Sequence, residues 1–253
     1  MLLELSHVNK SFGGVQAEQD VSLSVGQNQI VSLIGPNGAG KTTIFNLISG
    51  IYRVDSGSLN FEGKDISRLE SHEIAKCGIA RTFQNIRLFK GLSVIGNLLI
   101  PQDSARTYSV FLAIFGQPAR MKADRANREQ CMAHLELLGL ADYRDEDPSN
   151  LPYGLQRRVE LGRALACNPK LLMLDEPAAG LNPSEVSEFI ELLLTLKQKF
   201  GFGILIIEHR MAVVNELSEY IYVLNFGKLL AHGKPEFIRN DPEVIKAYLG
   251  EES

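Results

Sequence analysis

Leu33-Ile34-Gly35-Pro36-Asn37-Gly38-Ala39-Gly40-Lys41-Thr42-Thr43 decides how this chain of 253 residues is read. Residues 35–42 fit G-x-x-x-x-G-K-[ST], the phosphate-binding P-loop. Ile30 to Ile34 upstream reads as a buried strand. Thr43 to Ser49 downstream reads as a helix with one apolar face, which Gly50 can cap. Strand, glycine loop and helix is the order that phosphate binding requires. Glycines let successive backbone N–H groups close around a polyphosphate without Cβ clashes, and the helix N-terminus adds the positive end of its dipole. The expected nucleotide-binding residues are therefore Gly35, Pro36, Asn37, Gly38, Ala39, Gly40, Lys41, Thr42 and Thr43. Lys41 should reach the β- and γ-phosphates, and the Thr42 hydroxyl should hold Mg²⁺.

Composition narrows the classes open to the chain. It is 45% hydrophobic and 22% charged, ordinary for a globular protein with a sizeable core. A net charge of -4 argues against nucleic acid as a bulk electrostatic partner. Cys77, Cys131 and Cys167 lie far apart, match no metal spacing and read as small buried hydrophobes in a reducing compartment. The N-terminus lacks the basic region of a signal peptide. The greasiest run, Ser109 to Phe115, is far short of the roughly 20 residues of a membrane helix. Any membrane process is expected to be served from the surface.

The rest of the chain supplies further candidates. Residues 2–35 read as strands and turns, with Val21 to Val25 alternating as a half-buried strand and Gly57 to Phe61 adding another. Phe12, ahead of Gly13-Gly14, either stacks on a purine base or packs into the core. Ser67 to Cys77 reads as a helix, and Gly78 to Phe83 as a strand aimed at Gln84. Gln84 opens an irregular stretch to Gly91, read either as a docking surface or as a loop folded on its own core. Met121 to Leu138 reads as a helix stopped by Gly139, and Asp142 to Pro148 as a solvated acidic loop. Leu171 to Asp175 is a buried parallel strand that delivers Asp175 at its C-terminal edge, where open α/β sheets bind ligands. Asp175 can hold Mg²⁺ through water, and Glu176 can orient or deprotonate an attacking water. Asn182-Pro183-Ser184-Glu185 opens a capped helix that Gly201 or Gly203 ends. Ile204 to Ile207 is a second buried strand, expected beside the Asp175 strand and delivering Glu208 and His209. Tyr220 to Ala231 reads as a hairpin and Glu243 to Leu249 as a last helix.

Taken in order, the P-loop, Gln84, Leu151–Gln156, Asp175-Glu176, Ala179-Gly180-Leu181-Asn182 and His209 resemble an ABC-transporter ATPase over essentially the whole chain. The resemblance implies an α/β fold of the P-loop NTPase, ABC ATPase type. Such a fold has a mixed RecA-like core sheet, an N-terminal antiparallel β-subdomain and an α-helical subdomain, here inserted at about residues 85–165 of a single domain, 1–253. It implies ATP and Mg²⁺ as cofactors. Phe12 would be the base-stacking aromatic, and Thr42, Gln84 and Asp175 the metal ligands. Glu176 and His209, the switch histidine, would be the catalytic pair. Leu151, Gly154 and Gln156 would be nucleotide contacts of the signature motif, and 179–182 the D-loop. The implied partners are a second ABC ATPase subunit (a paralogue or the same chain), transmembrane permease subunits and, indirectly, a periplasmic or extracellular solute-binding protein. The implied location is the cytoplasmic face of the cell membrane.

Arg81 to Phe89, Pro177 to Pro183 and Ala247 to Glu251 narrow the resemblance to the ATP-binding subunits of branched-chain amino acid importers. The insertion around 101–130 is similar to that of the larger of their two ATPases. Importers of urea, amides or other amino acids share much of the pattern, and a soluble ABC ATPase of translation or repair is the reading from another class. The chain departs from the usual Leu-Ser-Gly-Gly-Gln signature at Pro152, Tyr153 and Leu155, and carries Asn182 and Arg210 where many relatives have Asp.

Overall fold

Strands buried on two faces and strands buried on one belong in different sheets, and this chain has both. The computed structural model describes residues 1–104 and 117–249; the apolar run 109–115 and the end of the stretch 247–251 lie outside the described residues. The chain divides into two compact units, residues 1–84 with 170–253, and residues 85–169.

In the first unit, β1 (Leu3–Phe12) and β2 (Val15–Val25) alternate buried and open positions over much of their length. With β4 (Ser56–Phe61) and β5 (Lys64–Asp65) they form an antiparallel sheet in the order β2-β1-β4-β5. By contrast every residue of β3 (Ile30–Ile34), β7 (Leu171–Asp175) and β8 (Gly203–Ile207) is buried. These runs form the centre of a six-stranded sheet, as near-continuous apolar strands do when both faces are covered. Its order is β10-β9-β3-β8-β7-β6, with β6 (Ile79–Arg81), β9 (Tyr220–Asn225) and β10 (Lys228–Gly233) completing it. Its neighbouring pairs are parallel except β9 with β10. The period of two splits the apolar side chains. Val31, Leu33, Leu171, Met173 and Leu205 pack with Ile44, Phe45 and Ile48 of α1 (Lys41–Ile48) and with Leu3, Leu5 and Val21 of the antiparallel sheet. Ile34, Ile221 and Val223 pack on the other face with Val214, Ile238 and Val244.

α1 begins two residues earlier than the apolar periodicity indicates, so Lys41 and Thr42 belong to its first turn. α2 starts at Ser71 rather than Ser67 (Ser71–Cys77). Residues 65–67 are spent on a local turn, in which Asp65 Oδ1 accepts from Ser67 N–H at 2.9 Å and Ser67 Oγ accepts from Leu59 N–H at 2.8 Å. Glu70 then caps α2 reciprocally with Glu73.

The second unit, residues 85–169, contains α3 (Val94–Ser104), α4 (Gln117–Leu137) and α5 (Tyr153–Ala166). Val94, Ile95, Leu98, Cys131, Leu135, Leu138, Val159 and Leu165 are buried. A Cβ at Gly162 would come within 2.8 Å of Leu138, so a glycine there permits the close approach of helices. The acidic stretch 142–148 is not simply solvated: Val94 N–H donates to the Glu146 carbonyl at 2.8 Å, and Gly91 N–H to Asp147 Oδ2 at 2.9 Å. Hydrogen bonds from Ser149, with the one from Gly91 N–H, hold the Asp147 carboxyl below its usual range. Of the cysteines, Cys131 is buried, Cys77 is half-buried and packs against the core, and Cys167 is exposed, so Cys167 departs from the expected core role; all three are free thiols.

The first unit also holds α6 (Pro183–Phe200), α7 (Met211–Leu217), α8 (Pro235–Ile238) and α9 (Pro242–Leu249). The capping box at Asn182 and Glu185 forms as the spacing predicts, and Gly201 ends α6 in the left-handed conformation. The β9–β10 hairpin closes on Phe226 and Gly227, both at positive φ (45° and 73°), as a right-twisted two-residue turn needs. No helix among the described residues is long and apolar enough to cross a membrane.

Candidate functional site

Parallel strands deliver their C-terminal ends to one sheet edge. Here the loops after β3, β6, β7 and β8 leave from that edge, bringing residues 35–40, 82–84, 176–182 and 208–210 together. The phosphate-loop candidates come first. A Cβ at Gly35 (φ +146°) would run into the Leu224 carbonyl oxygen, and one at Gly40 (φ +109°) into the Glu18 carboxyl. Both positions therefore require glycine for backbone angle and for space. Gly40 is the N-cap of α1 and offers no side-chain cap, and no acidic residue lies in the first turn. The contrast with α6, capped by Asn182 and Glu185, is direct. The opening N–H groups of α1 thus meet no capping side chain, the condition a helix N-terminus needs to receive an anion. Lys41 is buried, and its Nζ donates to the carbonyl oxygens of Gly35 and Pro36, the latter at 2.8 Å. Thr42 is exposed. The loop fits a polyphosphate.

Asp175, the last residue of β7, is 6% exposed. Burial pushes its carboxyl up; the hydrogen bond and charge of Arg81 oppose this, Glu176 adds to it and Lys41 opposes it. Arg81 Nη2 donates to Asp175 Oδ2 at 2.9 Å. Arg81 was not among the expected site residues. The sequence places it only at the start of the stretch Arg81 to Phe89, without a role, and that role emerges because β6 lies beside β7 with Arg81 level with Met173. The oxygen set of Thr42 and Asp175 suits Mg²⁺, which takes one or two protein oxygens and substrate phosphates rather than an all-protein cage. No group of three or more His, Cys, Asp or Glu side chains placed to hold a metal ion occurs among the described residues.

Glu176 stands at φ +48°, an uncommon backbone angle for a residue with a side chain, and its N–H donates to the Ile207 carbonyl at 2.9 Å. Gln84 Nε2 donates to Glu176 Oε2 at 2.8 Å, and His209 Nδ1 lies 3.8 Å from the same oxygen. Two predicted residues from two loops thus converge on the carboxylate oxygen of a third. Glu208, named in the sequence without a role, is fully buried behind them. Its Oε1 accepts from Ala178 N–H at 3.1 Å, and its Oε2 from the N–H groups of His209 and Arg210 at 3.1 and 3.2 Å. It ties the loop after β7 to the loop after β8. Glu208→Ala should leave three donors, one buried and two part-buried, without their acceptor, and cost about 1–3 kcal/mol for the buried one. The expected results are a lower melting temperature and slower turnover; an unchanged melt would show that the tie carries no energy.

The remaining candidates are placed but not drawn into this cluster. Phe12 is 40% exposed at the end of β1, with its ring edge-on to Tyr52 at 4.9 Å and Lys10 Nζ 5.2 Å from its centroid. It is not a core residue. Leu151, Gly154 and Gln156 belong to the second unit. Leu151 is buried, Pro152 is the N-cap of α5 without a side-chain cap, and Gln156 Nε2 donates to the Leu151 carbonyl at 2.9 Å. Arg157 Nη2 donates to Tyr153 Oη at 2.9 Å. Phe89 is exposed, with the Arg163 guanidinium 4.9 Å from its ring centroid.

Comparison with known proteins gives the family and the fold. A sequence model of the family described as ABC transporter matches residues 18–179, and one described as branched-chain amino acid ATP-binding cassette transporter matches residues 228–253. The high-affinity branched-chain amino acid transport ATP-binding protein LivG of Salmonella typhimurium is 44% identical over 250 residues, 99% of this chain and 98% of its own. BraF of Pseudomonas aeruginosa, of the same description, is 43% identical with the same coverage. The solved ADP conformation of an ATP-binding cassette from an ABC transporter superposes with a TM-score of 0.85 at 34% identity, covering 98% of each chain.

Proposed function

This chain belongs to the ABC transporter family as an ATP-binding cassette, and from that premise we propose that it hydrolyses ATP to drive a membrane importer of branched-chain amino acids. The observation that carries the hydrolytic reading is the meeting of Gln84 and His209 on Glu176 Oε2, at the sheet edge that also bears the phosphate loop. The choice of solute rests on the C-terminal family match and on what the relatives' names say of them.

In this reading Gly35 to Thr43 hold the triphosphate, Lys41 turning from its loop carbonyls to the β- and γ-phosphates. Thr42, Asp175 and Gln84 hold Mg²⁺, which when bound neutralises phosphate charge. Glu176 orients or deprotonates the attacking water, and His209, which stands beside it, contacts the γ-phosphate side. Arg81 opposes the upward push that burial gives the Asp175 carboxyl. Phe12 faces the base. The N-terminus of α5, with Leu151, Gly154 and Gln156, serves the nucleotide held by a second ATPase subunit, a paralogue or another copy of this chain. Pro152 has neither the hydroxyl of a signature serine nor a backbone N–H, so that half-site relies on the Gly154 backbone and the helix end. Permease subunits at the cytoplasmic face of the membrane, fed by a solute-binding protein, complete the assembly. The exposed Phe89 in the stretch after Gln84 supports a docking role there.

Lys41→Ala should weaken nucleotide binding, read by calorimetry; unchanged affinity would remove the phosphate cradle from this reading. Uptake of labelled leucine by vesicles holding the reconstituted importer, abolished by Glu176→Gln, tests the solute. ATP-dependent uptake of urea or an amide instead would move the chain to the alternative importer class.

A further inference from the structure

Glu18, on β2, has no exposed surface, and neither of its carboxyl oxygens has a hydrogen-bond partner. It lies against Gly40, the residue that opens α1: a Cβ at Gly40 would run into Oε1 and stand 3.0 Å from Oε2. The surroundings are stitched closed. Gln19 N–H donates to the Gly227 carbonyl at 2.7 Å, and Gly227 N–H donates to the Ala39 carbonyl at 3.0 Å, so β2, the hairpin turn and the phosphate loop enclose the carboxyl.

The charged groups on the elements packed around it are engaged elsewhere or exposed. Lys10, level with Glu18 on β1, donates to Asp55 Oδ1 at 2.7 Å. Lys41 on α1 donates to Gly35 and Pro36. Lys228, after the hairpin turn, is exposed, and β8 meets β2 at Gly203 against Val25, the far end of the strand. Asp20 on β2 itself pairs with His7. A carboxyl buried without a partner keeps its proton, because ionisation there lacks both water and a counter-charge. Burial pushes this one up to about 8.

We propose that Glu18 is a positioning residue for the phosphate loop: carried neutral, it leaves the loop and the first turn of α1 receptive to a polyphosphate, and once ionised it sets a negative charge against Gly40 that weakens nucleotide binding. The inference rests on the reading of residues 35–43 as the nucleotide site. Neither the P-loop pattern nor the convergence on Glu176 includes Glu18.

The test is the dissociation constant of MgATP, measured by calorimetry between about pH 6.5 and about pH 9.5, for the wild type, Glu18→Gln and Glu18→Leu. Thermal melts of the nucleotide-free proteins accompany it. The wild type should hold its affinity up to about pH 8 and then lose about tenfold, the equivalent of one pKa unit of coupling between Glu18 and the phosphates. Both variants should lack that slope. The nucleotide-free melts read ionisation alone. Because the folded value is raised, the unfolded chain loses this proton first, near 4.5, and the folded chain only near about 8. The melting temperature of the wild type should therefore fall relative to Glu18→Gln as pH rises through that window, and level off above it. Parallel affinity profiles for wild type and Glu18→Gln overturn the inference while leaving the nucleotide site intact. Equal weakening of both variants at every pH makes Glu18 a packing residue and also overturns it. A chain that binds no nucleotide at any pH overturns the site reading and this inference with it.

Discussion

Glu176→Gln should bind ATP as well as the wild type does and turn it over about 10²–10⁴-fold more slowly, the range for loss of a general base or water-orienting group. The substitution keeps the shape of the site. Glu176 is held from its backbone, by its N–H bond to the Ile207 carbonyl and its position directly after β7, not by its carboxylate. The amide oxygen can still accept from Gln84 Nε2, which now donates to Glu176 Oε2 at 2.8 Å. What disappears is the negative charge and the basicity next to His209. Steady-state phosphate release and equilibrium nucleotide binding separate the two effects. Turnover at the wild-type level would reject Glu176 as the base, and a parallel loss of binding would mean that the loop after β7 had moved.

Arg81→Ala should cost about 3–5 kcal/mol of stability, the range for breaking a buried ion pair from one side. The side chains of Arg81 and Asp175 are each 8% exposed, so the pair is screened little. Arg81 Nη1 also donates to Asn46 Oδ1 at 2.7 Å and Ser49 Oγ at 3.1 Å, and the guanidinium lies 5.4 Å from the centroid of Phe45 and 5.2 Å from that of Phe83. Asp175 is left buried beside Glu176 with its strongest opposing charge gone. Its carboxyl, already pushed up by burial, rises further. The sign follows. A carboxyl raised in the folded state contributes stability at low pH that is lost as pH climbs through the folded value. The deficit of Arg81→Ala should therefore be largest at neutral pH and shrink in acid, and Asp175→Asn in the same chain should recover part of it. Thermal melts across acid and neutral pH check this. A deficit independent of pH would mean that Arg81 serves by packing between the two rings, not by charge.

How far the sequence reaches is clearest where its signals are local. Glycine spacing followed by Lys41-Thr42 specifies a phosphate loop because the backbone angles at Gly35 and Gly40 exclude a side chain. Unbroken apolar runs ending in Asp175 and in Glu208-His209 specify central strands because only a sheet covered on both faces buries every position. The capping box at Asn182 and Glu185 is likewise written within four residues. Tertiary structure decided what depends on contact between distant segments. Nothing near Arg81 announces that a strand 94 positions later will set a carboxylate beside it. Glu208 is an ordinary acidic residue until two loops from adjacent strands turn three N–H groups toward it. Glu18 sits in a stretch of polar residues that reads as open surface, and is buried only because the hairpin turn at Gly227 and the loop at Ala39 close over it. Cys167, expected inside, lies outside at the C-terminus of α5. Sequence pattern carries backbone angle and periodicity, which are properties of neighbours along the chain. Burial, charge pairing and the ionisation that follows from them belong to neighbours in space, and exist only once the strands are in order.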